Sequence, residues 1–279
     1  MTRDLSRETF DPLKHFSRVL LQQGSVQRDA DWNEQAAILM HLVRRLAASV
    51  FPEGGGRGFG VTRLNTANAV CDDFAIGAGD YWVDGILCEL EATPVAVTAL
   101  DATQGQIVVA ATTVDGTPIA VGQYVSVSGD RRARSDEVEV TGRITGVTSG
   151  TRTLTLDADL TPLTKASNLR AHRVVTYLTQ PGGVPDSQRL VAGKQYQIYL
   201  DVWERPVISL EDGSIREVAL DGPDTATRMQ VVWQVRALES PPTPLDAVSH
   251  HYARLAVATV HGGAAPALET CVPQQLRPK

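Results

Sequence analysis

Apolar residues recur at helical spacing in the N-terminal part of the chain. The recurring positions are Trp32, Ala36, Leu39, Val43, Leu46 and Val50. Their steps of four and three residues keep them on one face of a helix, which Ile38 and Leu42 widen. We expect Asp31 to cap this helix, with Glu34 three residues later as an acidic capping box. Phe51-Pro52 is expected to end it.

The same four-three spacing is typical of a coiled-coil seam, but over so short a stretch any helix that packs on its own domain shows it. Both interpretations stay open. The glycine-rich segment Gly54–Gly60 predicts a flexible link that lets the helix stand away from the rest of the chain, which favours assembly through the helix. Closed rings or trimers use one surface repeatedly, so we expect a homo-oligomer, a trimer before a dimer.

The segment before the helix predicts an extended arm. Phe10-Asp11-Pro12 forms a turn, because proline disfavours helical geometry in the residue before it. Gln22-Gln23-Gly24 breaks a short apolar patch and acts as the hinge into the helix. Short arms of this kind commonly order when they bind a partner.

After Gly60 the pattern changes to strands. Residues 69–90 predict two strands joined at Gly77–Gly79, and clean alternation predicts further strands at 195–207, 229–238 and 253–262. In residues 100–165, short Val- and Thr-rich runs are separated by Gly, Asp and Ser. This pattern is typical of a small barrel or sandwich.

The expected fold is mainly β, with an N-terminal arm and an amphipathic helix, a β-sandwich or barrel body, and a small β-barrel-like insert. The predicted domains are residues 1–60 (arm, helix and glycine-rich link), 61–99 with 166–279 (main β domain), and 100–165 (insert).

Composition and charge exclude several classes of protein. A net charge of −6 disfavours a nucleic acid partner, and no run approaches the about 18 apolar residues of a membrane span. The start has no apolar signal-peptide core. Cys71, Cys88 and Cys271 form no CxxC pair, which argues against a disulfide scaffold or zinc site and predicts synthesis in a reducing cytoplasm.

Motif searches give no catalytic residue, metal ligand or cofactor site. Asp201 and Glu204 flank Trp203 as sugar-binding acids sometimes do, but an edge-strand salt bridge with Arg205 or Arg216 is the preferred interpretation. His250-His251 is the one histidine pair; adjacent strand residues point to opposite faces and chelate poorly, so a solvated pair is expected.

Three stretches resemble a known group of proteins: FDPLKHFSRVLLQQGSVQRDADWNEQ (10–35), YWVDGILCE (81–89) and YLDVWERPVISLEDGSIREVALDGPDTATRMQVVWQV (199–235). The first is similar to the opening of phage tail-associated proteins. Together they look closest to an uncharacterised bacterial domain family encoded in gene clusters for phage-tail-like contractile injection systems.

The resemblance implies a structural subunit of such a particle, at the baseplate or tail tip, that is not an enzyme and docks on other subunits. It would be cytoplasmic at synthesis and then assembled into a particle that is either released or kept inside the cell. The alternative is an effector, cargo, carbohydrate-active or carbohydrate-binding protein associated with the particle. The candidate interaction residues are Phe10, Asp11, Pro12, Gln22, Gln23, Gly24, Asp29, Asp31, Trp32 and Asn33, with Leu39 and Leu46 from the helical stripe.

Overall fold

The computed structural model describes residues 7–52, 54–64, 72–131, 137–217, 219, 225–239, 250–260 and 267–270. Within these residues the chain is mainly β, with one long helix near the N-terminus, and the predicted fold class is confirmed. No helix in the described part has the length and apolarity needed to cross a membrane.

The helix α1 spans Asp29–Val50 and so begins three residues earlier than a cap at Asp31 would allow. Arg28 occupies the capping position without a side-chain capping bond, so the prediction that Asp31 caps the helix is wrong. Asp31 instead lies in the first turn, where its carboxylate pairs with Arg28 at 3.0 Å. Asp29 and Asp31 both place negative charge at the positive end of the helix dipole.

The glycine-rich segment is packed rather than flexible, so that part of the sequence prediction is wrong. Gly55–Gly56 forms strand β1, which pairs with the strand containing Tyr81 and Trp82. A Cβ atom at Gly56 would lie 2.0 Å from the Asp80 carbonyl oxygen, so only glycine allows the two backbones to approach this closely. The helix is therefore held against the β body by a rigid connection.

Two sheets form the main body. The first contains β1, β4 (Gly79–Val83) and β5 (Ile86–Leu90), and the second contains β14 (Gln195–Val207), β15 (Arg228–Leu238), β16 (His250–Thr259) and β17 (Ala267–Thr270), in the order β15-β14-β16-β17. The three long predicted strands are confirmed, and one face of β14 is buried as the alternation requires: Ile198, Leu200 and Val202 are fully inaccessible.

The predicted hairpin between residues 69 and 90 forms with a different turn. β4 and β5 pair across Asp84-Gly85, both of which have positive φ, whereas Gly77–Gly79 connects β3 (Ala75–Ile76) to β4. Asp-Gly is a preferred two-residue hairpin turn, and this signal was present in the sequence.

The one described cysteine, Cys88 on β5, is free and buried, and burial raises the pKa of its thiol to about 12. Cys71 and Cys271 lie outside the described residues.

A closed barrel of six strands forms the second unit. Its strands are β6 (Val95–Asp101), β7 (Gln106–Val109), β10 (Tyr124–Arg131), β11 (Glu137–Thr148), β12 (Thr153–Leu156) and β13 (Ala166–Thr176). The barrel closes because β10 pairs with β13 as well as with β11. Its own apolar core includes Val125, Val127 and Ile144, separate from the core of the main body.

Smaller elements complete the fold. The strand β2 (Val61–Thr62) extends the barrel sheet beyond β3, and the hairpin β8 (Thr113–Val114) with β9 (Thr117–Pro118) stands apart as a two-stranded sheet. Short 3₁₀ helices occupy Pro12–Lys14, Thr161–Lys165, Asp186–Gln188 and Gly213–Ile215. The predicted insert, 100–165, lies inside the span of the barrel strands, 95–176.

Candidate functional site

The N-terminal arm lies along α1 and is attached to it by side-chain contacts. The Thr9 hydroxyl donates to Glu34 at 2.5 Å, and the Val19 amide donates to the Gln35 side chain at 2.8 Å. The Phe10 ring lies 5.5 Å from the His41 ring. These contacts cover one side of the helix with the arm, so arm and helix form one surface.

The predicted turns of the arm are present. Asp11 caps the 3₁₀ helix that begins at Pro12, with its carboxylate accepting the Leu13 amide at 3.0 Å. Gln22–Ser25 forms a turn in which Gly24 has a φ of +77°. The side chains of Gln22 and Gln23 are exposed and leave their amides available for a partner.

The predicted apolar stripe of α1 faces away from the body. Trp32 is 61% exposed, Leu39 53% and Leu46 68%, and Val43 and Val50 are about half exposed. Met40 and Leu42 broaden this surface, which we call the α1 stripe: Trp32, Leu39, Met40, Leu42, Val43, Leu46 and Val50. Asn33 and Asp29 are exposed beside it. Nothing in the described part of the chain covers the stripe.

A different face of the helix attaches it to the body. Ile38 is 1% exposed, so it belongs to this covered face and does not widen the stripe as predicted. Arg44 forms an ion pair with Glu204 of β14 at 2.7 Å. The β4–β5 turn packs so tightly on the helix that a Cβ atom at Gly85 would lie 2.1 Å from the Arg44 carbonyl oxygen.

Asp201 lies at the centre of a polar cluster on the outer face of the four-stranded sheet. Its side chain is completely buried, with Arg236 Nε 2.7 Å and His250 Nδ1 2.7 Å from its two oxygens. Arg236 and Asp201 attract each other as opposite charges, without a well-oriented hydrogen bond between Nε and the carboxylate oxygen. The His250 ring stacks on Trp203 with centroids 4.8 Å apart.

Asp201 and Glu204 are therefore not edge-strand partners of Arg205 or Arg216. β14 lies inside its sheet, and the two acids point to opposite faces, Asp201 towards Arg236 and Glu204 towards α1. Arg205 pairs with Glu211 instead. Paired glycosidase carboxylates must face each other across one bond, which this arrangement prevents for Asp201 and Glu204.

The two adjacent histidines also point to opposite faces, as predicted. His250 contacts Asp201, whereas His251 Nδ1 lies 2.9 Å from Asp84 on the β4–β5 turn. Each ring therefore has an acidic partner and is not simply solvated. Among the described residues, no group of three or more histidine, cysteine or acidic side chains is placed to hold a metal ion.

A family model described as "Family of unknown function (DUF6519)" matches residues 1–116 and 182–273, which is well over half of the chain. The chain belongs to the DUF6519 family. No curated protein and no solved structure matches it. The family description states no activity, so the link to contractile particles stays a prediction from the resemblance.

The DUF6519 match includes the arm, α1, β4, β5 and the four-stranded sheet. The unmatched part, 117–181, contains four of the six barrel strands, β10 to β13. All twelve candidate interaction residues lie in the matched part. Sequence reasoning assigned Ile38 to the wrong face of the helix and missed Arg236. Arg236 alternates with the buried Val235 on a predicted strand, but only tertiary packing brings it to Asp201.

Proposed function

We propose that this DUF6519 protein is a structural subunit of a phage-tail-like contractile injection particle, at the baseplate or tail tip, and that it acts by docking on other subunits without catalytic turnover. The resemblance of the three quoted stretches points to the particle. The single structural observation that supports docking is the α1 stripe, seven large apolar side chains each about half exposed or more.

The exposed apolar area of the α1 stripe favours the binding of a partner. Scattered exposed apolar residues are normal, but a contiguous patch of this kind on one helix is typical of a binding surface. The arm adds further exposed apolar side chains beside it, including Leu20 at 71% and Val26 at 87%. Burying such area is the main favourable contribution to protein association.

The occupant that we propose for the α1 stripe is the same helix of further copies of this chain, in a trimer. Leu39 and Leu46 take the d positions of a heptad, and Val43 and Val50 take the a positions. In parallel coiled coils this combination by itself favours dimers. Met40 and Leu42 make the exposed surface wider than the narrow seam of a dimer, which favours a third helix.

Mass spectrometry of purified particles tests the function. We expect the chain to be present in intact contractile particles and lost when Leu39 and Leu46 are both changed to Asp. Its absence from particles that are otherwise complete would refute the proposal. Multi-angle light scattering of the pure protein gives the mass of the oligomer, and a dimer would correct the proposed stoichiometry.

A further inference from the structure

A polar cleft separates the barrel from the main body. Its volume is about 740 Å³ and it is lined by Glu89 of β5, Glu91 just after it, Asp115 of the β8–β9 hairpin, Arg173 of β13 and Trp233 of β15. Pockets of this size are typical of small-molecule sites, which occur preferentially at domain boundaries and barrel mouths. The cleft is therefore large enough and suitably placed to hold a ligand.

A second crevice of about 510 Å³ continues the cleft along β13. It shares Glu91 and Arg173 with the first and extends to His172 and Glu139 on the barrel wall. The two spaces therefore have part of their lining in common.

Hydrogen bonds hold the walls of the cleft in position. The Trp233 indole N–H donates to the Glu89 carbonyl oxygen at 3.0 Å, which connects β15 to β5. The Thr93 hydroxyl donates to Asp115 at 3.0 Å, which connects the segment after β5 to the β8–β9 hairpin. A site that exists before binding loses less conformational entropy when a ligand enters.

Polar groups in the cleft have donors and acceptors to spare. Arg173 is partly buried, yet it has no hydrogen-bond or ion-pair partner among the described residues. The carboxylates of Glu89 and Glu91 are exposed to solvent and likewise have no partner within the described part of the chain. The guanidinium group can only donate and the carboxylates, when ionised, can only accept. A ligand that carries donors and acceptors close together would complement these side chains.

We propose that this cleft binds an uncharged oligosaccharide. Sugar hydroxyl groups donate to carboxylates and accept from a guanidinium group, so a chain of them can satisfy both kinds of side chain. The three acids Glu89, Glu91 and Asp115 outnumber Arg173, so a polyanion such as nucleic acid would be repelled. This binding function goes beyond the proposed structural role and does not depend on it.

Isothermal titration calorimetry of the intact chain tests the inference. The probes are linear tetrasaccharides of glucose, mannose and N-acetylglucosamine, with a heparin tetrasaccharide as the polyanionic comparison. We expect saturable binding of at least one uncharged probe with a Kd below about 1 mM. A Kd above that limit for every uncharged probe, or tighter binding of heparin, would overturn the proposal.

Substitutions in the cleft test whether the oligosaccharide binds there. Arg173→Ala and Glu91→Ala should each weaken binding by about tenfold or more, because hydrogen bonds to charged groups are the stronger ones. Arg170→Ala is the matched control, since Arg170 is an exposed arginine on the same strand that does not line the cleft. Arg173→Lys serves if the alanine variant unfolds. Equal affinity of the wild type and both cleft variants would also overturn the assignment.

Discussion

Replacing Leu39 and Leu46 together by Asp tests whether the α1 stripe drives assembly. Full burial of a leucine side chain stabilises by about 1.5–3 kcal/mol. Since 53% of Leu39 and 68% of Leu46 remain exposed in the single chain, a partner can still supply roughly 1–2 kcal/mol at each position. The pair is then worth about 3 kcal/mol per chain, or roughly a hundredfold in the association constant for each chain of the oligomer.

The folded monomer should tolerate the same change. Within the single chain the change removes the part of each leucine that is already covered, about 0.5–1.5 kcal/mol at each site, and adds the lower helix propensity of Asp, about 0.5 kcal/mol at each site. For a chain of this size, a loss of about 2–3 kcal/mol lowers the melting temperature by about 5–10 °C. We therefore expect the fold to persist at room temperature while association is lost.

Sedimentation velocity over a range of protein concentrations measures the association, and thermal unfolding monitors the fold. Arg45→Asp is the matched control: Arg45 is exposed on a different face of α1, and the single change alters the net charge by the same two units. We expect this control to assemble like the wild type. Ile38→Ala, on the covered face, should instead cost roughly 2–5 kcal/mol of stability. A wild-type protein that stays monomeric at every concentration would refute the reasoning.

Three further predictions concern stability. Burial raises the pKa of Asp73 to about 6 from its ordinary 3.8. The contribution of this side chain to the free energy of unfolding is therefore fully present below about pH 4 and is lost as the pH rises through 6. Urea unfolding should therefore show the wild type losing about 3 kcal/mol relative to Asp73→Asn between pH 4 and pH 7, and parallel pH profiles would exclude this. Gly56→Ala should lower the melting temperature strongly, whereas Gly60→Ala, with open space around it, should change it little; equal effects would contradict the packing argument. Asp201→Asn should cost about 1–3 kcal/mol in chemical unfolding, because it removes the buried negative charge that pairs with the partly exposed Arg236, against at most about 1 kcal/mol for the exposed pair removed by Glu211→Gln.

The long strands were predictable from sequence because their cause is local. In β14 every second side chain enters the core, so the alternation of Ile198, Leu200 and Val202 directly reports one buried face. The short Val- and Thr-rich runs likewise predicted a small barrel. Its closure was not predictable, because the pairing of β10 with β13 joins residues about 45 positions apart and leaves no local pattern.

The glycine segment shows why composition can mislead. A run such as Gly54–Gly60 is typical of a flexible link when it is considered alone. Here the absent side chains make room for Gly79 and Asp80 of a strand that lies some 20 residues later in sequence. The requirement for glycine is thus set by tertiary contact, and only the structure identifies the partner.

The helix α1 illustrates how far the candidate site could be predicted from the sequence. Its periodicity correctly gave an apolar stripe but could not say whether the chain itself covers it, because burial by a domain and burial by a partner produce the same spacing. The position of its cap was equally ambiguous, since Asp29, Asp31 and Glu34 all supply acids near the start. The structure resolves the first point by placing Ile38, not Leu39, against the body. It resolves the second by starting the helix at Asp29, with Arg28 at the capping position.

The docking and the ligand recognition that we propose are separable, because they would use different parts of the chain. The α1 stripe lies wholly in the segment that the DUF6519 model matches. The cleft has one wall from matched residues, including Glu91 and Trp233, and one from the unmatched barrel, including Arg173. A change at Arg173 would therefore alter the ligand binding that we propose for the cleft without touching the surface through which we propose the chain assembles.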